Sequence, residues 1–174
     1  AWASLATTDV APLVEGLPML RGVDPAWTRA VYDLANAGVG ALASGAGRLF
    51  EAAGALLGLA PVNTYEGEAA ARLEALAQSH PQPGTVWPEA LEGAQGNTLP
   101  SRRLLAALVR RLAGGEPPPA LAAGFHATFC ALVGRLLATG LPEHTRTVVF
   151  GGGCLVNRWL REGLLAAAAQ AGLE

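Results

Sequence analysis

Three consecutive glycines near the C-terminus are the residues of this chain that point most directly to chemistry. They follow the apolar run "RTVVF" (residues 146–150) and precede "CLVNRWL", so Gly152 and Gly153 lie between a predicted strand and a predicted helix. In such a unit, glycines allow the backbone to approach a ligand closely, and the free N–H groups at the helix start favour phosphate or a polar sugar edge. Asn157 falls about one turn into the predicted helix, where its amide can donate and accept hydrogen bonds at once. The same glycines would also serve a tight turn without any ligand, so both interpretations stay open.

Carboxylates and one histidine form two further candidate sites. Glu51, Glu66 and Glu68 lie near two predicted helix starts. Carboxylates at such positions complement the helix dipole, and from spacing alone a solvated surface is favoured over a site that carries chemistry. Arg48 and Glu51 are three residues apart and predict a surface ion pair. His126 lies in an apolar helical stretch, where a lone histidine is more often a hydrogen-bonded core or interface residue than a base.

The elements that must position these residues are mostly helical. In "DPAWTRAVYDLANAG", Asp24 is the expected N-cap and Pro25 the first helical residue, with Trp27, Val31 and Leu34 on one face. Further helices are predicted at 47–58, 67–79, from Ser101 as a cap, from Pro117 to about 139, and at about 155–171. Residues 80–100 predict a surface connection with a short extended piece at 84–87.

Residues 146–150 are the one predicted strand, because Val and Thr favour the pleated surface and the run ends in glycine. A single strand cannot satisfy its own backbone groups, so it implies a sheet supplied largely by chain outside this sequence or by a partner. The expected fold class is α/β but predominantly helical. We expect a mainly helical part at 24–140 and a strand–glycine–helix element at 145–174.

Composition excludes several classes of protein. The chain of 174 residues is long enough for about one domain. Its basic residues are 12 scattered arginines and no lysine, which excludes a Walker A motif in this chain and argues against a nucleic-acid surface. Cys130 and Cys154 form no C-x-x-C pair, so a reducing cytoplasm is expected. His80, His126 and His144 are too far apart to predict a metal site. The absence of a long apolar run and of a signal-peptide pattern predicts no membrane segment.

Four motifs in order carry a resemblance to a known family. "GRLFEAAGALLGL", "TYEGEAAARLEALA", "GFHATF" and "VVFGGGCLVNRWL" resemble the C-terminal domain of the HypF carbamoyltransferase family, which serves the maturation of nickel–iron hydrogenases. The resemblance runs from about Ala30 to the end of the chain. The second motif separates this family from the related tRNA threonylcarbamoyl transferases (TsaD) and O-carbamoyltransferases.

The resemblance implies a Kae-type domain of the actin/sugar-kinase/Hsp70 (ASKHA) superfamily, in which an adenine nucleotide binds between two α/β lobes. This chain is similar to the second lobe with its helical insertion. In the family, ATP and carbamoyl phosphate yield carbamoyl adenylate, and the carbamoyl group passes to the C-terminal cysteine of the partner HypE, en route to the cyanide ligands of the hydrogenase. The expected ligand is therefore ATP or carbamoyl adenylate, and the expected partner is a HypE-like acceptor.

The resemblance also implies nucleotide-contacting residues. Gly152, Gly153 and Asn157 match the glycine–asparagine element of the family. Glu51 occupies the place of an Asp that faces the ribose. A carboxylate at this place can accept hydrogen bonds from the ribose hydroxyls, as the acidic residue of a dinucleotide fold does. The residues at 67 and 68, Gly67 and Glu68, fall where relatives have a Gly-Gly contact.

The chain departs from the family pattern at several of these positions. Residues 43–45 are Ala-Ser-Gly instead of Thr-Ser-Ser, Glu51 replaces Asp, Gly151 replaces Ser, and residues 155–156 replace Phe-Gln. These changes remove hydroxyls and an amide from the expected cleft. The alternative function is therefore a truncated or degenerate, non-catalytic helical module of the same family. An unrelated Rossmann-type domain would need more strands than this chain offers.

On the resemblance, the remaining family domains would precede residue 1, including a first lobe that carries metal-binding histidines. We therefore expect metal ions to bind only through residues outside this chain. Catalytic residues cannot be assigned from this sequence, and the chain alone is expected to be inactive.

Overall fold

The structure is a computed structural model that describes residues 10–14, 16–39, 43–60, 62–92, 94 and 97–174. Residues 1–9, on which the prediction of no signal peptide rests, lie outside the described residues.

Eight α-helices and two 3-10 helices occupy the described residues. The α-helices are α1 Ala11–Val14, α2 Pro25–Asn36, α3 Ala46–Leu56, α4 Glu68–Gln78, α5 Pro88–Leu91, α6 Ser101–Ala113, α7 Pro118–Gly140 and α8 Arg158–Gln170. The 3-10 helices are Pro18–Leu20 and Gly153–Val156. The helical character predicted for residues 24–140 is therefore seen in α2 to α7.

The long helix α7 lies at the centre of the fold. It packs against α4, α6 and α8, while α3 packs against α4. Leu121, Phe125 and Leu132 of α7 are fully buried. The Phe50 ring of α3 meets the edge of the Phe125 ring, with the ring centroids 5.3 Å apart. Edge-to-face aromatic contacts of this kind add to the area that the rings bury, so they tie α3 to the centre of the core.

The same helix is long and apolar enough to cross a membrane by length and composition, and it is the one such helix in the described part of the chain. Half of its most apolar 18-residue window is buried inside the protein. The buried residues of α7 contact other helices of the chain, as in the core helix of a globular domain.

A glycine allows α3 and α4 to approach each other closely. A Cβ atom on Gly54 would collide with the main-chain carbonyl of Ala69. The two helix backbones can therefore come close only with glycine at this position. This contact sets Glu51, one turn earlier on α3, beside the start of α4.

The first predicted helix is confirmed, but its apolar face is not buried. Asp24 accepts a hydrogen bond from the N–H of Ala26 at 2.8 Å and Pro25 is the first helical residue. Trp27 is 70% exposed, and α2 contains no buried residue. The pattern predicted which residues share a face but not what covers it, because the described residues place no apolar layer over α2.

Two predicted helix starts are wrong in detail. Ser101 is the first residue of α6 rather than its cap, and the N-cap is Pro100, which makes no side-chain cap hydrogen bond. The last helix begins at Arg158, after a 3-10 turn, and Asn157 is its N-cap instead of lying one turn inside it. Asparagine is among the preferred N-cap residues because its side-chain oxygen can accept a free N–H of the first turn.

The predicted strand at 146–150 is not a strand among the described residues, although its backbone is extended. The N–H of Val148 donates to the carbonyl of Glu174 at 2.8 Å, and the N–H of Glu174 donates to the carbonyl of Arg146 at 2.9 Å. These two bonds have the pattern of a single rung of a parallel ladder. A strand needs a neighbour along its whole length, and the described residues supply one at a single position.

Candidate functional site

A cavity of about 560 Å³ brings together most of the predicted contact residues. It lies between the first turns of α3 and α4 and the segment that leads from the glycines into α8. Glu51, Gly67, Gly153 and Asn157 all line it. Residues from three distant parts of the sequence therefore meet at one cavity, as the resemblance implies.

Glu51 lies on the α3 wall of the cavity, with its side chain 13% exposed. One carboxylate oxygen, Oε1, accepts the N–H of Gly67 at 3.1 Å and the side-chain amide of Asn63 at 3.2 Å. The other, Oε2, lies 2.7 Å from the Arg48 guanidinium, which confirms the predicted ion pair. An ionised carboxylate has about four acceptor positions, so Oε2 keeps one for a ligand.

Gly67 forms the corner at which the chain enters α4. It has φ of +82° and is the N-cap of that helix. An L side chain would be strained in this left-handed conformation. Because its N–H is taken by Glu51, Gly67 can offer a ligand its Cα surface but not a hydrogen-bond donor.

Two of the predicted contact residues do not line the cavity. Glu68 is buried, and its carboxylate accepts the N–H and the hydroxyl of Thr64 and pairs with Arg72 at 2.6 Å. The Thr64 hydrogen bonds are the main cause that lowers the pKa of Glu68 below its usual range. Gly152 is exposed, with φ of +99°, at the turn just before the 3-10 helix. The nucleotide contacts assigned to both residues stay predictions.

Asn157 connects the glycine segment to α7 and α8. Its Oδ1 accepts the N–H of Leu160 at 2.9 Å, which caps α8. Its Nδ2 donates to Nε2 of His126 at 2.8 Å. A side-chain amide has two donor hydrogens and two acceptor positions, so one donor and one acceptor remain for a ligand.

His126 is the buried partner of this amide. Its Nδ1 lies 2.8 Å from the carbonyl of Ala122, which can only accept, so Nδ1 carries a proton. Burial lowers the pKa of His126, against the opposing effects of the Ala122 carbonyl and of Glu74. The imidazole is therefore neutral, and the expectation of a hydrogen-bonded core histidine is confirmed.

The start of α8 is not open to an anion. Glu74 of α4 accepts the N–H of Arg158 at 2.8 Å, and Asn157 accepts that of Leu160. Free N–H groups at a helix start are what make it bind phosphate. Here two of these donors are taken, one of them by a carboxylate that would repel phosphate.

The charged side chains that line the cavity carry a net negative charge. Glu51, Glu66 and Glu74 line it together with a single arginine, Arg48. The cavity therefore favours an uncharged, hydrogen-bonding part of a ligand over its phosphates. Reasoning from sequence missed Glu74, because it lies 84 residues from Arg158 and only the packing of both α4 and α8 against α7 brings them together.

The described residues do not fit a resident metal ion. They contain no group of three or more His, Cys, Asp or Glu side chains placed to hold one.

Comparison with known proteins identifies the family that the four sequence motifs indicate. The family described as "Carbamoyltransferase, Kae1-like Domain, second subdomain" matches residues 6–174. Carbamoyltransferase HypF of Rhizobium leguminosarum bv. viciae is 39% identical over 136 residues, which cover 75% of this chain and 16% of the relative. Carbamoyltransferase HypF2 of Cupriavidus necator is 37% identical over 158 residues, which cover 76% of this chain and 19% of the relative.

A third relative gives the same result. Carbamoyltransferase HypF of Rhodobacter capsulatus is 40% identical over 130 residues, which cover 71% of this chain. The chain thus spans less than a fifth of the length of these curated relatives. No solved structure gives a significant match to the chain.

Proposed function

The chain belongs to the family of the second subdomain of the Kae1-like carbamoyltransferase domain, and from this premise we propose that its cavity is one wall of a nucleotide site. The nucleotide part that it holds is the nucleoside of ATP or of carbamoyl adenylate. The facing wall belongs to the other lobe of an ASKHA-type domain.

In the proposed reaction, water cleaves carbamoyl phosphate to carbamate and inorganic phosphate, and the carbamate oxygen then attacks the α-phosphorus of ATP, which gives carbamoyl adenylate and releases pyrophosphate. The C-terminal cysteine thiolate of a HypE-like acceptor protein then attacks the carbamoyl carbon, and AMP leaves. This transfer would supply the cyanide ligands in nickel–iron hydrogenase maturation, in the cytoplasm. Metal ions, where the complete domain uses them, would be held by residues outside this chain.

One observation carries this proposal: Glu51, Gly67, Gly153 and Asn157 line a single cavity although they come from three separate segments. Its polar groups suit a nucleoside. Asn157 has one donor and one acceptor to spare, and Glu51 has an acceptor position for a ribose hydroxyl.

The acidic lining decides which part of the nucleotide this chain holds. Glu74 and Glu66 would repel phosphate groups near the start of α8. The phosphates must therefore point out of the cavity, toward the facing wall of the proposed site. We expect this chain alone to bind the nucleotide weakly, because in this proposal the facing wall belongs to the other lobe.

A nuclear magnetic resonance titration of the chain with AMP tests the proposal. We expect millimolar AMP to shift the amide signals of Gly67, Gly153 and Leu160, whereas inorganic phosphate at the same concentration leaves them unchanged. AMP shifts confined to other parts of the chain, or equal shifts with phosphate, would contradict the proposal.

A second candidate, a non-catalytic helical module, is favoured by the bonds already made inside the chain. The Glu51 carboxylate and both ends of the Asn157 amide are engaged by neighbouring residues. These groups would hold the fold together even without a ligand. This alternative predicts no response of the cavity signals to AMP at any concentration.

A further inference from the structure

We propose that His126 is a positioning residue for this site, and that it sets which way the Asn157 side-chain amide faces the cavity. The proposal rests on the proposed function for its consequence in ligand binding. The orientation itself follows from the hydrogen bonds.

The Ala122 carbonyl determines which nitrogen of the His126 imidazole carries the proton. The Ala122 carbonyl lies 2.8 Å from Nδ1 and can only accept a proton, so the proton is on Nδ1. In the neutral ring Nε2 then has a lone pair and no hydrogen. Nε2 can therefore accept a hydrogen bond from the Asn157 amide but cannot donate one.

The hydrogen bonds to His126 and Leu160 determine the orientation of the Asn157 side-chain amide. Nε2 of His126 lies 2.8 Å from Nδ2 of Asn157, and the N–H of Leu160 lies 2.9 Å from Oδ1. If the amide flipped, Oδ1 would face a lone pair and Nδ2 would face an N–H donor. Both bonds would be lost, and the buried Nε2 of His126 would be left without a partner. The spare donor and the spare acceptor of Asn157 are thereby held in one arrangement toward the cavity.

The surroundings of the His126 ring hold it in place. His126 is 1% exposed, and its faces and edges meet the rings of Phe50 on α3 and Trp159 on α8. The charged group that acts on it from α4 is Glu74, and Cys130 lies one turn further along α7. Packing by uncharged rings holds the imidazole in place and disfavours its protonated form.

Two substitutions of His126 distinguish the hydrogen bond made by Nδ1 from the hydrogen bond made by Nε2. In His126→Gln, the side-chain amide can reach the position of Nε2 and its oxygen can accept from Asn157. In His126→Asn, the shorter amide can replace only Nδ1, so the bond to Ala122 is kept and the bond to Asn157 is lost. We expect His126→Gln to retain AMP binding and His126→Asn to weaken it, though less than Asn157→Ala, which removes the amide itself.

A measurement on the unmodified chain tests the orientation without any ligand. Two-bond proton–nitrogen spectra of His126 report which ring nitrogen carries the proton, and we expect Nδ1. A proton on Nε2, or on both nitrogens at neutral pH, would overturn the proposal even if AMP binds. If AMP does not bind, the proposed function fails, whereas an Nδ1 proton together with slowed exchange of the Asn157 amide would still support the orientation. Equal AMP affinity of the Asn and Gln variants would show that His126 has no positioning role.

Discussion

Glu74 Oε1 accepts the N–H of Arg158 at 2.8 Å, so a carboxylate of α4 caps the start of α8. The two residues lie on different helices, and both helices contribute residues to the lining of the cavity. Their contact means that the glycine segment leads into a helix start whose positive end is already neutralised.

This relationship predicts the effect of removing the charge. In Glu74→Gln the acceptor for Arg158 is kept but the negative charge is lost, so we expect affinity for inorganic phosphate and for ATP to rise. In Glu74→Ala the acceptor is also lost, and the free energy of unfolding should fall by about 1–3 kcal/mol because hydrogen bonds to charged groups are the stronger ones. Phosphate titration and denaturant unfolding measure the two effects. Unchanged phosphate affinity in the Gln variant would contradict the repulsion.

The lowered pKa of His126 predicts an acid-sensitive fold. The usual pKa of histidine, 6.5, is higher than that of the buried ring, so the unfolded chain binds more protons at this residue. Stability from this group is therefore complete above about pH 6.5 and is lost as the pH falls toward the lower folded-state pKa. Denaturant unfolding between about pH 5 and pH 7 should show the loss, and His126→Gln should remove it. The range excludes most of the titration of Glu68, whose pKa is also lowered.

Asn157 has a capping role and a cavity role that two substitutions can separate. Asn157→Ala removes both, and we expect it to lower the free energy of unfolding by about 1 kcal/mol through loss of the N-cap. Asn157→Ser keeps a capping oxygen for Leu160 but cannot reach His126. The Ser variant should therefore recover stability, as measured by denaturant unfolding, without recovering AMP binding. Recovery of binding by Ser would show that the amide is not a ligand contact.

Two tryptophans in very different surroundings test the core. Trp87 is fully buried against Phe125, with the Arg111 guanidinium 5.2 Å from its ring centre, whereas Trp27 is 70% exposed. We expect Trp87→Ala to lower the free energy of unfolding by about 3–5 kcal/mol, as large-to-small changes in a core do. Trp27→Ala should change it by less than about 0.5 kcal/mol. A similar loss for both variants in denaturant unfolding would contradict the described packing.

The sequence allowed much of this fold to be predicted where a residue acts locally. Asp24 and Pro25 marked the start of α2 because capping and a fixed φ depend only on neighbouring residues. The same reasoning misplaced Asn157 by a turn, because glycine-rich segments can turn once as a 3-10 helix before the α-helix begins. The strand at 146–150 also could not be judged locally, since pairing depends on a neighbour, and among the residues that the structure describes only Glu174 pairs with this segment.

The residues of the candidate site also could be predicted only in part from the sequence. Glu51 and Asn157 were predicted from motifs, and they do meet at the cavity. Glu68 had the same motif support, yet its carboxylate is taken by Thr64 of the α3–α4 connection and by Arg72 of α4. Whether the carboxylate of Glu51 or that of Glu68 faces the cavity depends on side-chain packing around α4. Spacing along the sequence does not describe this packing.

The two cysteines differ in ways that make one of them a probe of the cavity. Burial raises the pKa of the Cys130 thiol to about 11, so little of it is thiolate near pH 8. Both cysteine residues are half-buried, but Cys154 lines the cavity beside Gly153. We expect iodoacetamide to modify Cys154 well before Cys130, as peptide mass spectrometry would show.

The rate at which iodoacetamide modifies Cys154, measured with and without AMP, tests most directly whether this cavity holds a nucleoside. A ligand that contacts Glu51 and Asn157 would cover the Cys154 sulfur, so AMP should slow the modification severalfold while inorganic phosphate leaves the rate unchanged. Asn157→Ala should abolish the protection. An equal rate of modification with AMP and without it, at concentrations that shift the amide signals elsewhere in the chain, would contradict the account.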